Sequence, residues 1–156
     1  MTLLRLLCLP LFAALLLAGC DRVDPDSPLG KRKAIYQAML DTKEDLGGML
    51  RGRIPFDGTA FTSGAAKLDE LSRQPWQHYP EVKEKQSDAR DDVWQRQERF
   101  QELARALEAD TAALVEVTTA GPVTAERVAP AFQRVAPAFQ RVEDACEACH
   151  KEFRAY

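Results

Sequence analysis

Apolar residues recur at steps of three and four through most of this chain, a spacing that marks amphipathic helices rather than strands. Over about residues 31–50, Ile35, Met39, Leu46, Met49 and Leu50 share one face, and Gly52 and Pro55 supply the stop. A second helix is predicted over about 57–73, with Phe61, Ala65, Leu68 and Leu71 inward and Pro75 ending it. Residues 81–92 are charged and nearly without apolar side chains, so an exposed loop is expected there. A third helix follows over about 91–117, with Trp94, Phe100, Leu103, Leu107 and Leu114 inward and a turn at Gly121-Pro122. No stretch shows strand alternation, so the fold class is all-α.

The last helix carries the most regular pattern. Val128, Phe132, Val135, Phe139, Val142, Cys146, Cys149 and Phe153 form an unbroken seam of alternating steps of four and three. Both cysteines lie on that seam, so whatever they hold packs against the bundle interior. The segment 127–133, Arg-Val-Ala-Pro-Ala-Phe-Gln, is repeated as 134–140. Seven residues are about two helical turns, so the duplication keeps the apolar face in phase. It also repeats a proline. Either the helix kinks or breaks near Ala136, or it starts at Pro137 and the first copy is a separate turn.

The first twenty residues stand apart. Arg5 precedes an almost wholly apolar run from Leu6 to Leu17, the layout of a secretory signal peptide and too short for a comfortable membrane span. The run closes in Leu17-Ala18-Gly19-Cys20, which resembles the lipobox of bacterial lipoproteins. That resemblance implies a signal over residues 1–19, cleavage before Cys20, and a diacylglyceryl thioether on Cys20 that anchors the chain to a membrane. Asp21 after the cysteine favours the inner membrane. A plain signal peptide is the alternative. Residues 20–30, rich in Asp and Pro, then read as an acylated end and flexible tether, and residues 31–156 as one domain.

The formal net charge of -3 argues against a nucleic-acid binder. Of the four cysteines, Cys8 lies in the signal and Cys20 is assigned to lipid. The remaining pair, Cys146 and Cys149, is too close in sequence to staple a fold. Cys146-Glu147-Ala148-Cys149-His150 is instead a c-type haem attachment motif. Thiols at i and i+3 share a helical face and can add to two haem vinyl groups. His150, at i+4 from Cys146, then meets the iron as its proximal ligand. A zinc site would need a fourth ligand, and the only other histidine, His78, lies in a different segment. A thioredoxin-like pair would need a βαβ setting that the pattern does not offer.

A Cys-x-x-Cys-His closing the last of four helices resembles cytochrome c′, the class II c-type cytochromes. The likeness includes Arg32-Lys33-Ala34-Ile35-Tyr36, Gly52-Arg53-Ile54-Pro55-Phe56-Asp57, Pro75-Trp76, Asp88-Ala89-Arg90 with Val93-Trp94, and Arg154 four residues after His150. It implies an antiparallel up-down-up-down four-helix bundle with one covalent haem c near the C-terminus. It further implies that Tyr36 faces the open side of the iron, that Arg32 lies near a haem propionate, and that Lys33, Asp88 and Arg154 surround the haem. Lys33 stands where glutamine is common in the family.

Three functions are open on these residues. A five-coordinate haem behind a crowded, apolar distal face, with Tyr36 a bulky non-ligand, would bind nitric oxide or carbon monoxide in the periplasm. Alternatively, Met39, one turn from Tyr36, fills the sixth position and makes a low-spin, membrane-tethered electron carrier. A zinc-binding or structural lipoprotein is the reading outside haem chemistry. No catalytic acid–base set is visible, so no enzyme is expected. The redox partner has no signature in the sequence, and the resemblance implies pairing into a homodimer through the first two helices.

Overall fold

The computed structural model describes residues 23–121 and 128–155, with the backbone alone for 128–132. The expected signal over residues 1–19, Cys20 and the side chains of Val128 and Phe132 lie outside the described residues. Among the described residues five α-helices run in order: α1 (Pro28–Leu50), α2 (Gly58–Ser72), the short α3 (Asp92–Gln95), α4 (Gln97–Thr119) and α5 (Val128–Phe153). A 3-10 turn spans Pro75–His78. The four long helices form an all-α, up-down-up-down bundle.

Helix α1 begins at Pro28, three residues ahead of the expected start. Ser27 caps it, accepting a hydrogen bond from the Gly30 amide at 3.0 Å, and Pro28 is preset for the first helical position. Leu29 is already buried, so the last residues of the expected tether belong to the folded domain. At the other end the Arg53 amide donates to the Gly48 carbonyl at 2.9 Å and the Gly52 amide to that of Met49 at 3.3 Å. This doubly bonded C-terminal stop requires a left-handed residue, and Gly52 supplies it with φ 71°.

Asp57 caps α2 by accepting from the Thr59 and Ala60 amides, both at 2.9 Å. Phe56 just before the cap stacks on Phe61, ring centroids 5.7 Å apart, which fixes how the chain enters the helix. Gly64 lets α1 and α2 approach: a Cβ there would come within 2.9 Å of Leu46 Cδ2.

The expected third helix is divided. Arg96, with φ -123° and ψ 48°, is non-helical, so Trp94 sits on α3 and the rest of the apolar face on α4. Helix α5, by contrast, runs unbroken through Pro137. A break near Ala136 does not occur, because the seam on either side of the proline keeps its packing: Val135, Ala138, Phe139 and Val142 are all buried.

The main core joins Met39, Leu46 and Met49 of α1 with Phe61 and Leu68 of α2, Leu107 and Leu114 of α4, and the α5 seam. A smaller cluster of Val93, Phe100, Leu103 and Phe153 closes one end. Ser72 and Thr111 are the buried polar pair linking α2 and α4, their hydroxyls 3.0 Å apart, with Thr111 also donating to Asp69 at 2.9 Å. Helix α5 lies closely along α4, whereas α1 and α5 touch at few points. The cavity opens between them.

Candidate functional site

The C-terminal end of α5 is held in place before any ligand is considered. The Arg90 amide donates to the Phe153 carbonyl at 2.9 Å, and the Ala155 amide to that of Asp88 at 2.8 Å. Ala89 and Arg154 thereby form a single β-type bridge. Phe153, 3% exposed, packs edge-on to Phe100 at 5.4 Å. Glu152 is gripped by Arg96 and Arg99, the latter at 2.8 Å. Cys146, Cys149 and His150 are therefore carried on a helix end tied to the segment 88–99.

These three residues line a cavity of about 790 Å³. Cys146 and Cys149 are free and half-buried. Burial pushes both thiols up, Cys149 to about 11, with the neighbouring Cys146 and Glu152 adding to the effect. His150 has an exposed edge. Its imidazole, partly desolvated and flanked by Arg154 and Lys43, is held below its ordinary pKa, which keeps it in the neutral form that ligates metals. Among the described residues no group of three or more His, Cys, Asp and Glu could hold a metal ion.

Across the cavity, α1 contributes Arg32, Lys33, Tyr36, Met39 and Lys43 to the lining. Tyr36 and Met39 thus line the cavity from α1, while Cys146, Cys149 and His150 line it from α5. Met39 is also built into the main core. Asp88 and Arg154 line the cavity as well. Lys33 and Asp88 pair with each other at 3.3 Å at its exposed edge.

Arg32 departs most from expectation. It is 3% exposed, and its guanidinium donates to Glu84 at 3.1 and 3.3 Å, to Ser87 Oγ at 3.1 Å and to the His78 carbonyl. It also lies over the Tyr79 ring, 4.2 Å from its centroid. Its charge is balanced within the protein, and it fastens the irregular segment 79–91 over one end of the site. That segment is charged, as read from its composition, yet anchored at Glu84 and Ser87.

The opposing wall is not purely apolar. The Tyr36 and Tyr79 hydroxyls are 3.0 Å apart. Trp76, edge-on to Tyr36 at 6.4 Å, has a buried Nε1 with no partner among the described residues. Tyr79 and Lys43 were not singled out by sequence reasoning. The cluster Trp76-Gln77-His78-Tyr79 directly after a helix-ending proline was the available signal. His78 lies in that turn, half-buried, and contributes its carbonyl to Arg32.

These residues fit a covalently attached haem. The volume lies inside the range of about 300–1,000 Å³ usual for cofactor sites. Two thiols and an imidazole line one wall and aromatic and aliphatic side chains the other. The orphaned Trp76 N–H is a buried donor awaiting an acceptor of the kind a haem carboxylate provides.

Comparison with known proteins agrees. The family model described as cytochrome c′ matches residues 27–154. Cytochrome c prime from Shewanella frigidimarina superposes with a TM-score of 0.75 at 21% identity, covering 87% of this chain and 100% of that one. A nitric oxide complex of a variant of the Alcaligenes xylosoxidans protein gives 0.72 at 21%, covering 87% and 99%. Cytochrome c′ from Rubrivivax gelatinosus gives 0.71 at 20%, covering 83% and 98%. No curated protein sequence matches.

Proposed function

This chain belongs to the cytochrome c′ family, and on that premise we propose that it is a five-coordinate haem protein of the periplasm that binds nitric oxide or carbon monoxide. Members of the family carry one covalently attached haem c per chain. The observation that carries the reading is that Tyr36, a bulky side chain whose phenol burial keeps protonated, lines the same cavity as Cys146, Cys149 and His150. Structural neighbours include nitric oxide and carbon monoxide complexes of cytochrome c prime.

Bound in this cavity, haem supplies an iron with one protein ligand and one open coordination position. Cys146 and Cys149 would hold the porphyrin through two thioethers, and His150 would ligate the iron from α5. Tyr36, lining the same cavity from α1, would limit what can enter. Arg154 on α5 and Lys43 on the facing helix would bring positive charge near His150, and Lys33 and Asp88 border the exposed edge. Arg32 acts through the segment it fastens. The protein is read as a binder rather than an enzyme. Acylation at Cys20 after removal of residues 1–19 would tether it to the inner membrane. Among the described residues no helix is long and apolar enough to cross a membrane.

Met39 supports one second reading, because it lines the same cavity. As a sixth ligand it would make a low-spin electron carrier. Absorption and resonance Raman spectra of the ferrous protein separate the two. The proposal predicts a high-spin spectrum that changes on adding nitric oxide or carbon monoxide, with Met39→Ala leaving the spin state as it is. A low-spin ferrous spectrum that Met39→Ala converts to high spin would overturn it.

A further inference from the structure

The hydroxyls of Tyr36 and Tyr79 make one contact, 3.0 Å long, and among the described residues neither has another partner. Two phenols bring two protons, and one contact uses one of them. One O–H is therefore left over on a wall of the cavity that both residues line.

Which phenol donates follows from their surroundings. The Arg32 guanidinium lies over the Tyr79 ring and draws electron density from it, making its O–H the better donor. Among the described residues no cation lies over the Tyr36 ring. Tyr79 is also the better fixed of the two. It packs edge-on to Phe100 at 4.9 Å and against Trp94 at 6.2 Å, and Trp94 is itself anchored by its N–H to the Pro80 carbonyl at 2.7 Å. Burial raises the pKa of both phenols, so both stay protonated at neutral pH.

We propose that Tyr79 is a positioning residue that donates to Tyr36, and that the Tyr36 hydroxyl in turn donates a hydrogen bond to the outer atom of a diatomic ligand in the cavity. This inference rests on the gas-binding reading and deepens it. Bulk at Tyr36 restricts entry, while its hydroxyl stabilises a ligand whose outer atom gains negative charge. The site then favours polar diatomics, nitric oxide among them, over carbon monoxide by more than an apolar wall would.

The test uses the haem-loaded protein and its carbon monoxide complex, with the C–O stretching band as reporter. A donor at the outer atom lowers that frequency. Tyr36→Phe is expected to raise it, and Tyr79→Phe to broaden or split it, as Tyr36 loses its fixed orientation. The double variant should match Tyr36→Phe, because both substitutions act through one hydrogen bond. Nitric oxide should leave the ferrous Tyr36→Phe protein about tenfold faster, the effect of losing one such bond. Transfer of the wild-type complex into deuterium oxide should shift the band, a readout that needs no variant. A band unmoved by Tyr36→Phe and by deuterium overturns the inference. A Tyr79→Phe band identical to wild type in position and width overturns the role of Tyr79. Wild-type protein that takes up neither gas overturns the functional reading and this inference together, whereas gas uptake with unmoved bands overturns this inference only.

Discussion

Tyr36 and Tyr79 are removed from water on the cavity wall, and desolvation raises the pKa of each above its ordinary 10.0. In the unfolded chain both phenols ionise near 10.0, while the folded state keeps their protons to higher pH. Their contribution to stability is complete below that value. It is lost as pH rises through 10.0 towards the folded pKa values, because the unfolded state then binds fewer protons. Denaturant midpoints measured from pH 7 to above 10 should therefore fall at the alkaline end, and less steeply in Tyr36→Phe than in wild type. Equal alkaline slopes would contradict this account. At this scale the sequence showed Cys146, Cys149 and His150, because a helical motif places them without reference to the rest of the fold, while Tyr36 was legible only through the resemblance to cytochrome c′. Tyr79 was not legible. Its position depends on an irregular segment folding back over α1, and that path is set by the contacts of Arg32, 46 to 55 residues away from its partners.

Helix α5 carries an internal proline and still runs from Val128 to Phe153. Pro137 cannot donate to the Gln133 carbonyl one turn back, so the helix tolerates a missing hydrogen bond at an exposed position. Replacing it with alanine restores that donor and removes the ring. Pro137→Ala should stabilise the protein by about 1–3 kcal/mol, read from denaturant midpoints at unchanged slope. An unchanged or lowered midpoint would show that the proline is matched to its surroundings. Periodicity sufficed to locate all four long helices, since each buries a stripe at steps of three and four. Their interruptions were harder to read. Pro137 looks like a break but is carried by burial on both sides, whereas Arg96, an ordinary helix former, is where the chain departs from helix. Tertiary packing outweighs local propensity in both places.

The molecule is a bundle in which α1 and α5 touch at few points and both line the cavity. Its far end is closed by segment 79–91, which Arg32 fastens from α1 and the Ala89–Arg154 bridge fastens to the end of α5. One irregular segment thus bears on both walls of the site. Its composition gave charge and exposure but not this anchoring, because buried ion pairs between distant segments leave no periodic trace. The central claim is that this architecture holds one haem covalently through Cys146 and Cys149. The direct measurement is the intact mass of protein matured in a host that assembles c-type cytochromes, taken after extraction with acidified organic solvent, with peptide mapping of the pigment. One haem mass should remain on the chain and map to the peptide containing Cys146 and Cys149. Pigment that partitions into the solvent, leaving a colourless chain with two free thiols there, would contradict it.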